Sequence, residues 1–150
     1  MKRFFSGLLF LSLWLVSCSD QKDNQSRVQS ATGGDTAMVD GHPSWLLQGN
    51  IYEVNVRQYT PEGTFNAFAK HLPRLREMGV QTLWFMPIQP IGVEGRKGEL
   101  GSYYAISDYR NVNPEFGTME DWKALVKEIH DQGMKVIIDW VPNHTAPDHP

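Results

Sequence analysis

Cysteine is almost missing from this chain. Cys18 is the single cysteine in 150 residues, which excludes an internal disulfide framework. Charge of one sign is missing too: 14 Lys and Arg stand against 17 Asp and Glu, for a net charge of −3. No cluster of Lys or Arg makes a basic face, so nothing points to a nucleic-acid partner. No apolar run reaches the ~20 residues that a membrane-spanning helix requires. The turn after the first strand-like segment, RQYTPEGT, lacks the G-x-G-x-x-G pattern with which a dinucleotide-binding fold opens. What is present is ordinary globular composition, 41% hydrophobic, in a chain long enough for a core of its own.

The sole cysteine has a telling position. MKRFFSGLLFLSLWLVSC begins with Lys2 and Arg3, runs apolar from Phe4 to Val16 and exits through Ser17 to Cys18. A cationic start, a short greasy core and a small-residue exit describe a secretory signal. Leu15-Val16-Ser17-Cys18 also resembles the lipobox of bacterial lipoproteins, whose cysteine becomes the lipidated N-terminus; the alternative is an ordinary signal peptide with an incidental cysteine. The expected plan is a lipoprotein signal over 1–17, then lipidated Cys18 and a flexible tether over 18–41, then a folded domain over 42–150. The tether is polar, contains Gly and Ser, and has no apolar periodicity with which to offset its ordering entropy. The protein is thus expected to be exported and held on a bacterial membrane, the outer membrane or cell surface, by acyl chains that gain about 0.8 kcal/mol per buried methylene.

Within the domain, IYEVNVRQY (51–59) has the β-branched content of a strand. Thr64 can cap a helix carrying Phe65, Phe68, Leu72 and Leu75, which Pro73 should kink or restart and Gly79 should stop. TLWFMPI (82–88) reads as a strand covered on both faces. A long loop over 89–117 follows, then Thr118 and Asp121 open a second helix with Trp122, Leu125, Val126 and Ile129 on one stripe. MKVIIDWV (134–141) is the third strand. Strand, helix, strand, helix, strand implies parallel pairing with right-handed crossovers. The fold class is α/β, and a (β/α)8 barrel is favoured over an open doubly wound sheet. Such a barrel typically takes about 250 residues, so the chain reads as its N-terminal portion, about three βα units at the front of a larger protein.

Barrels carry their ligand groups where strands exit at their C-terminal ends. Asp139, with Ile137, Ile138, Trp140 and Val141 around it, reads as a buried carboxylate that needs a partner. Asn143 and His144 follow at the exit, an amide carbonyl that suits a hard cation and an imidazole that suits a sugar hydroxyl. A zinc site from His144, Asp148 and His149 fits no known ligand spacing. Tyr103, Tyr104 and Tyr109 put aromatic rings on the preceding long loop, where they can either stack on a sugar or simply pack the loop.

These pieces together resemble the alpha-amylase superfamily, glycoside hydrolase family 13. IIDWVPNHT matches its first signature region, and IYEVNVRQYTPEGTF, GVQTLWFMPI and SYYAISDYRNVNPEFGTMEDWKALVKEIHDQGMKVIIDWVPNHT extend the likeness over residues 45–150. The resemblance implies that Asp139 braces the catalytic centre, that His144 contacts the sugar at the cleavage subsite, and that Tyr104 is a stacking platform for the same sugar. It implies that Asn143 is a calcium ligand, making calcium the candidate cofactor. It implies retaining hydrolysis of α-glucosidic bonds in starch-like or malto-oligosaccharides, with the catalytic carboxylates on later strands and none within this chain. The 150 residues by themselves are then expected to be inactive. Ala105, where exo-acting α-glucosidases often carry Asp after the platform Tyr, leans toward an endo-acting or debranching member. A transglycosylase or trehalose-forming relative, and a surface glycan-binding lipoprotein without catalysis, stay open as alternatives.

Overall fold

The computed structural model of the protein describes residues 37–150. The signal segment, Cys18 and most of the tether lie outside the described residues. The last residues assigned to the tether do take part in structure: β1 (Met38–Val39) pairs antiparallel with β2 (His42–Pro43). This hairpin falls in a first unit ending at Trp45, and the rest of the chain forms a second.

The second unit is built on a three-stranded parallel sheet. β3 (Ile51–Val54), β4 (Thr82–Phe85) and β5 (Lys135–Ile138) lie in the order β3-β4-β5. The alternation of strands and helices therefore does give parallel neighbours. Register places Val54, Phe85 and Ile138 in one row, and Glu53, Trp84 and Ile137 in the row before it. Because side chains alternate across a strand, these rows face opposite ways.

The helical side of the sheet is a phenylalanine-rich core. α2 (Phe65–Ala69) and α3 (Leu72–Glu77) bury Phe65, Phe68, Leu72 and Leu75 completely, and Leu83 and Phe85 meet them from the sheet. Phe68 packs edge-on against Phe85 at 5.4 Å between ring centroids, and Phe85 against Trp122 at 5.1 Å. Edge-to-face pairs add about 0.5–1.5 kcal/mol each to the area they bury. Pro73 sits in the first turn of α3, so it restarts the helix instead of kinking it. Thr64 Oγ1 accepts from Ala67 N at 3.2 Å, and the helix stops before Gly79, whose φ is 85°. α4 (Met119–Asp131) opens with a full capping box. Thr118 accepts from Asp121 N while the Asp121 carboxylate accepts from Thr118 N at 2.8 Å, and those bonds hold Asp121 below the usual carboxylate range. Trp122, Leu125 and Ile129 are its buried stripe.

Three expectations need correction. The segment 51–59 is not one strand: pairing ends at Val54, and α1 (Val56–Tyr59) turns the chain over the sheet's end. Its propensity is overridden by packing, since the turn carries Tyr59 onto Phe68 at 4.7 Å and onto His71 at 5.2 Å. The segments 82–88 and 134–141 likewise pair only to Phe85 and Ile138. Nor is β4 covered on both faces by the described residues. Trp84 is 36% exposed and its row-mate Ile137 43% exposed, while Ile51 at the other end of that face is 61% exposed. That open apolar face is what an α/β barrel turns toward its own axis.

Candidate functional site

The site forms beyond the C-terminal ends of the strands. Although β5 formally ends at Ile138, the ladder runs one bond further, with Asp139 N donating to Phe85 O at 2.8 Å. On the neighbouring strand Met86 N does the same to Val54 O at 3.0 Å. Asn55, Met86 and Asp139 are thus level with one another and share the open face. Asp139 is half-exposed and not the buried carboxylate its greasy neighbours suggested. Trp140 is 70% exposed, so the apolar run around Asp139 is not an apolar enclosure.

Asp139 has the partner it needs. Tyr104, on the long loop between β4 and α4, donates its phenol hydrogen to Asp139 Oδ2 at 3.0 Å. Deprotonating that phenol would set two anions together, and the hydrogen bond to Asp139 pushes the Tyr104 phenol above its ordinary value, helped by partial burial and by the charges of Asp139 and Glu53. Tyr104 itself remains 39% exposed. A half-open ring with its edge fixed by a carboxylate is a rigid apolar surface beside a fixed negative charge.

His144 and Asn143 are both exposed and touch each other, Asn143 Nδ2 lying 3.2 Å from His144 Nδ1. Where Nδ1 accepts from that amide, Nε2 is the nitrogen left to donate. It also leaves the Asn143 carbonyl oxygen free to ligate. Calcium takes six to eight oxygens, and among the described residues no three His, Cys, Asp or Glu gather into a metal-holding group. Asn143 could therefore supply one oxygen of such a shell.

The exit loop is stapled to the long loop at several points. Tyr109 Oη donates between Val141 O and His144 O, the latter at 3.0 Å, and Ala146 N donates to Ile106 O at 2.8 Å. Asp148 has a similar duty. Its Oδ2 accepts from Val93 N at 2.7 Å and Glu94 N at 3.3 Å, which keeps its pKa below the usual carboxylate range. The approach is so close that a Cβ on Gly92 would lie 2.3 Å from Ala146 Cβ. His149 stacks obliquely on Tyr109 at 5.5 Å. Asp148 and His149 are thus occupied in holding loops. Sequence reasoning passed over Arg57 and Asn55 entirely, because both lay in what read as a continuous strand. The one available signal was an Arg placed amid apolar and aromatic residues.

Residues 20–150 match the alpha-amylase catalytic domain. The chain belongs to the alpha-amylase family. It is 41% identical over 115 residues to a trehalose synthase of Thermus thermophilus, covering 72% of this chain and 11% of that one. It is 31% identical over 162 residues to the alpha-amylase SusG of Bacteroides thetaiotaomicron, covering 97% of this chain and 22% of that one. A crystal structure of an alpha-amylase from Lactobacillus plantarum superposes with a TM-score of 0.66 at 51% identity, over 67% of this chain and 24% of its own. The family chain described here thus spans a quarter or less of these relatives. Its parallel sheet and flanking helices are part of an α/β barrel, and the relatives it matches include a trehalose synthase, an alpha-glucosidase and an alpha-amylase.

The Tyr104–Asp139 contact predicts an alkaline titration. The phenol should ionise above the ordinary tyrosine value, so the contact persists through neutral pH and is lost only as pH rises through that raised value. Absorbance at 295 nm, read as wild type minus Tyr104→Phe, should show this, and Asp139→Asn should bring the titration back down. A Tyr104 phenol that titrates normally with Asp139 intact would refute the pairing.

Proposed function

We propose that the protein containing this chain hydrolyses α-glucosidic bonds of starch-like or malto-oligosaccharide substrates with retention of configuration. The observation that carries this reading is the fixed Tyr104–Asp139 pair, with the outward-facing His144 on the same rim, in a member of the alpha-amylase family. In this reading a glucose ring lies on the open face of Tyr104, whose C–H-rich underside suits an aromatic surface. His144 donates from Nε2 to a hydroxyl of that ring. Asp139 fixes the edge of the platform through Oδ2 and is not assigned the nucleophile's role, which the family resemblance puts on a later strand. Retaining hydrolysis uses one carboxylate to attack the anomeric carbon and a second to protonate the leaving oxygen. We assign neither to a residue of this chain. Calcium enters only as a structural ion, with the Asn143 carbonyl as one of its oxygens.

A second reading has specific support in the 41% identity to a trehalose synthase. There the same platform would hold a glucosyl unit for transfer to another sugar instead of to water. One experiment separates the readings: the full-length protein is incubated with maltose and maltoheptaose, and products are followed by proton NMR. Hydrolysis with retention gives α-configured maltooligosaccharides first, transfer gives trehalose, and a protein that binds the glycan without either product refutes both. In whichever reaction occurs, His144→Ala should lower kcat/KM by about 10–100-fold, since a donor that strengthens in the transition state contributes about 1.5–3 kcal/mol.

We further propose that the chain is carried on a bacterial membrane through acylated Cys18, on the outer membrane or cell surface. Growth with a radiolabelled fatty acid should label the protein, and Cys18→Ala should abolish the label. Label that survives the substitution would contradict the anchor.

A further inference from the structure

Tyr104 is well placed only if the backbone that carries it is, and that backbone belongs to a loop of about thirty residues. The next residue back shows how the loop is held. Tyr103 is half-buried against the main core. Its phenol donates to Asn55 Oδ1 at 3.0 Å, at the end of β3. Its ring is covered by the Arg57 guanidinium, 4.6 Å from the ring centroid.

Arg57 makes further contacts along the same loop. One Nη2 pairs with Glu115 Oε2 at 3.0 Å, the same nitrogen lies 3.5 Å from Leu100 O, and the guanidinium is 5.9 Å from the Phe116 ring centroid. Leu100 precedes the platform, Tyr103 adjoins it, and Glu115 and Phe116 close the loop ahead of α4. One side chain from α1 thus touches the loop before, beside and after Tyr104. The Arg57 side chain is only 15% exposed, and its Nε is buried with no hydrogen-bond partner among the described residues. Most of the Arg57 head is thus already engaged by protein groups. An incompletely satisfied buried cation is also a poor device for stability alone, because an apolar side chain of that shape would avoid the desolvation.

We infer that Arg57 is a positioning residue: with Asn55 it clamps Tyr103 and so fixes Tyr104 as a sugar platform against Asp139. The inference rests on the proposed role of Tyr104 but adds a residue that touches neither sugar nor Asp139. A planar guanidinium stacked on the Tyr103 face is the working part, and the exposed half of the ion pair with Glu115 contributes little.

The test uses the full-length protein with Arg57→Met, Arg57→Lys, Glu115→Gln and Tyr103→Phe. Two readouts are taken, kcat/KM on maltoheptaose per folded molecule and the Tyr104 phenol titration at 295 nm. The acidic groups facing that phenol are Asp139 and Glu53, and none of the four substitutions touches them. Arg57→Met should lower kcat/KM on the order of 10²-fold, as a misplacement of about 1 Å does, and should move the Tyr104 titration down toward that of free tyrosine. Arg57→Lys should fall between Met and wild type, and Glu115→Gln should stay close to wild type. If Arg57→Met lowers only the melting temperature, leaving both readouts at wild-type values, Arg57 is structural and the inference fails. Should Arg57→Met not fold, Tyr103→Phe decides, since it removes only the Asn55 bond and should move both readouts the same way by less. If the wild type turns over no glucan, the proposed function fails by itself, and the titration arm still judges the clamp.

Discussion

The parallel ladder between β4 and β5 is the constraint on which the site depends. Asp139 N donating to Phe85 O continues that ladder past the formal strand end. It holds the carboxylate level with Met86 and Asn55 on the open face of the sheet. A slip of one residue would turn Asp139 to the helical side, against Phe85 and its aromatic neighbours, where an unpaired carboxylate is costly. Register is in turn fixed by the core: Leu83 and Phe85 are fully buried beneath α2, α3 and α4. Burying a side chain of that size is worth about 1.5–3 kcal/mol, far more than any contact on the rim. The phenylalanine cluster therefore sets where Asp139 stands, and the loops are fitted around it.

Those loops are held by side chains that do no chemistry. Tyr109 ties the exit loop at Val141 and His144, Asp148 pins the backbone at Val93 and Glu94, and Tyr103 with Arg57 anchors the segment bearing Tyr104. Each uses a polar tip on an otherwise apolar or well-packed body, the form that can bridge a core and a wet rim. The result is a polar rim made of exposed Tyr104, Asn143 and His144 and half-exposed Asp139, with half-buried Tyr103, Tyr109 and Arg57 behind it.

Much of this was legible before any coordinates. Thr64, Pro73, Gly79 and the Thr118–Asp121 box mark helix boundaries through local hydrogen bonding, which sequence records directly. Asp139, Asn143 and His144 stood out because polar residues interrupt an apolar run at a strand exit. The errors share one cause. Residues 51–59 kept strand-like composition through Tyr59, yet Tyr59 is needed against Phe68, and that long-range demand outweighs β-propensity. The same error hid Arg57 and Asn55, which belong to α1 and its N-cap and not to a strand. Asp139 read as buried because its sequence neighbours are greasy, although Ile138 is 40% exposed and Trp140 70% exposed. Long-range partners such as Tyr103 and Arg57, 46 positions apart, leave no local trace for a sequence to show.

In the proposed function a sugar ring lies on Tyr104 with its edge set by Asp139 and a hydroxyl held by His144. A crystal structure of the full-length protein with bound maltoheptaose or an unreactive analogue tests it most directly. The account predicts one glucose ring stacked parallel on the Tyr104 face, His144 Nε2 within hydrogen-bonding distance of that ring, and the Tyr104–Asp139 bond intact. Glycan bound elsewhere on the rim, or a Tyr104 swung away from Asp139 in the complex, would contradict it.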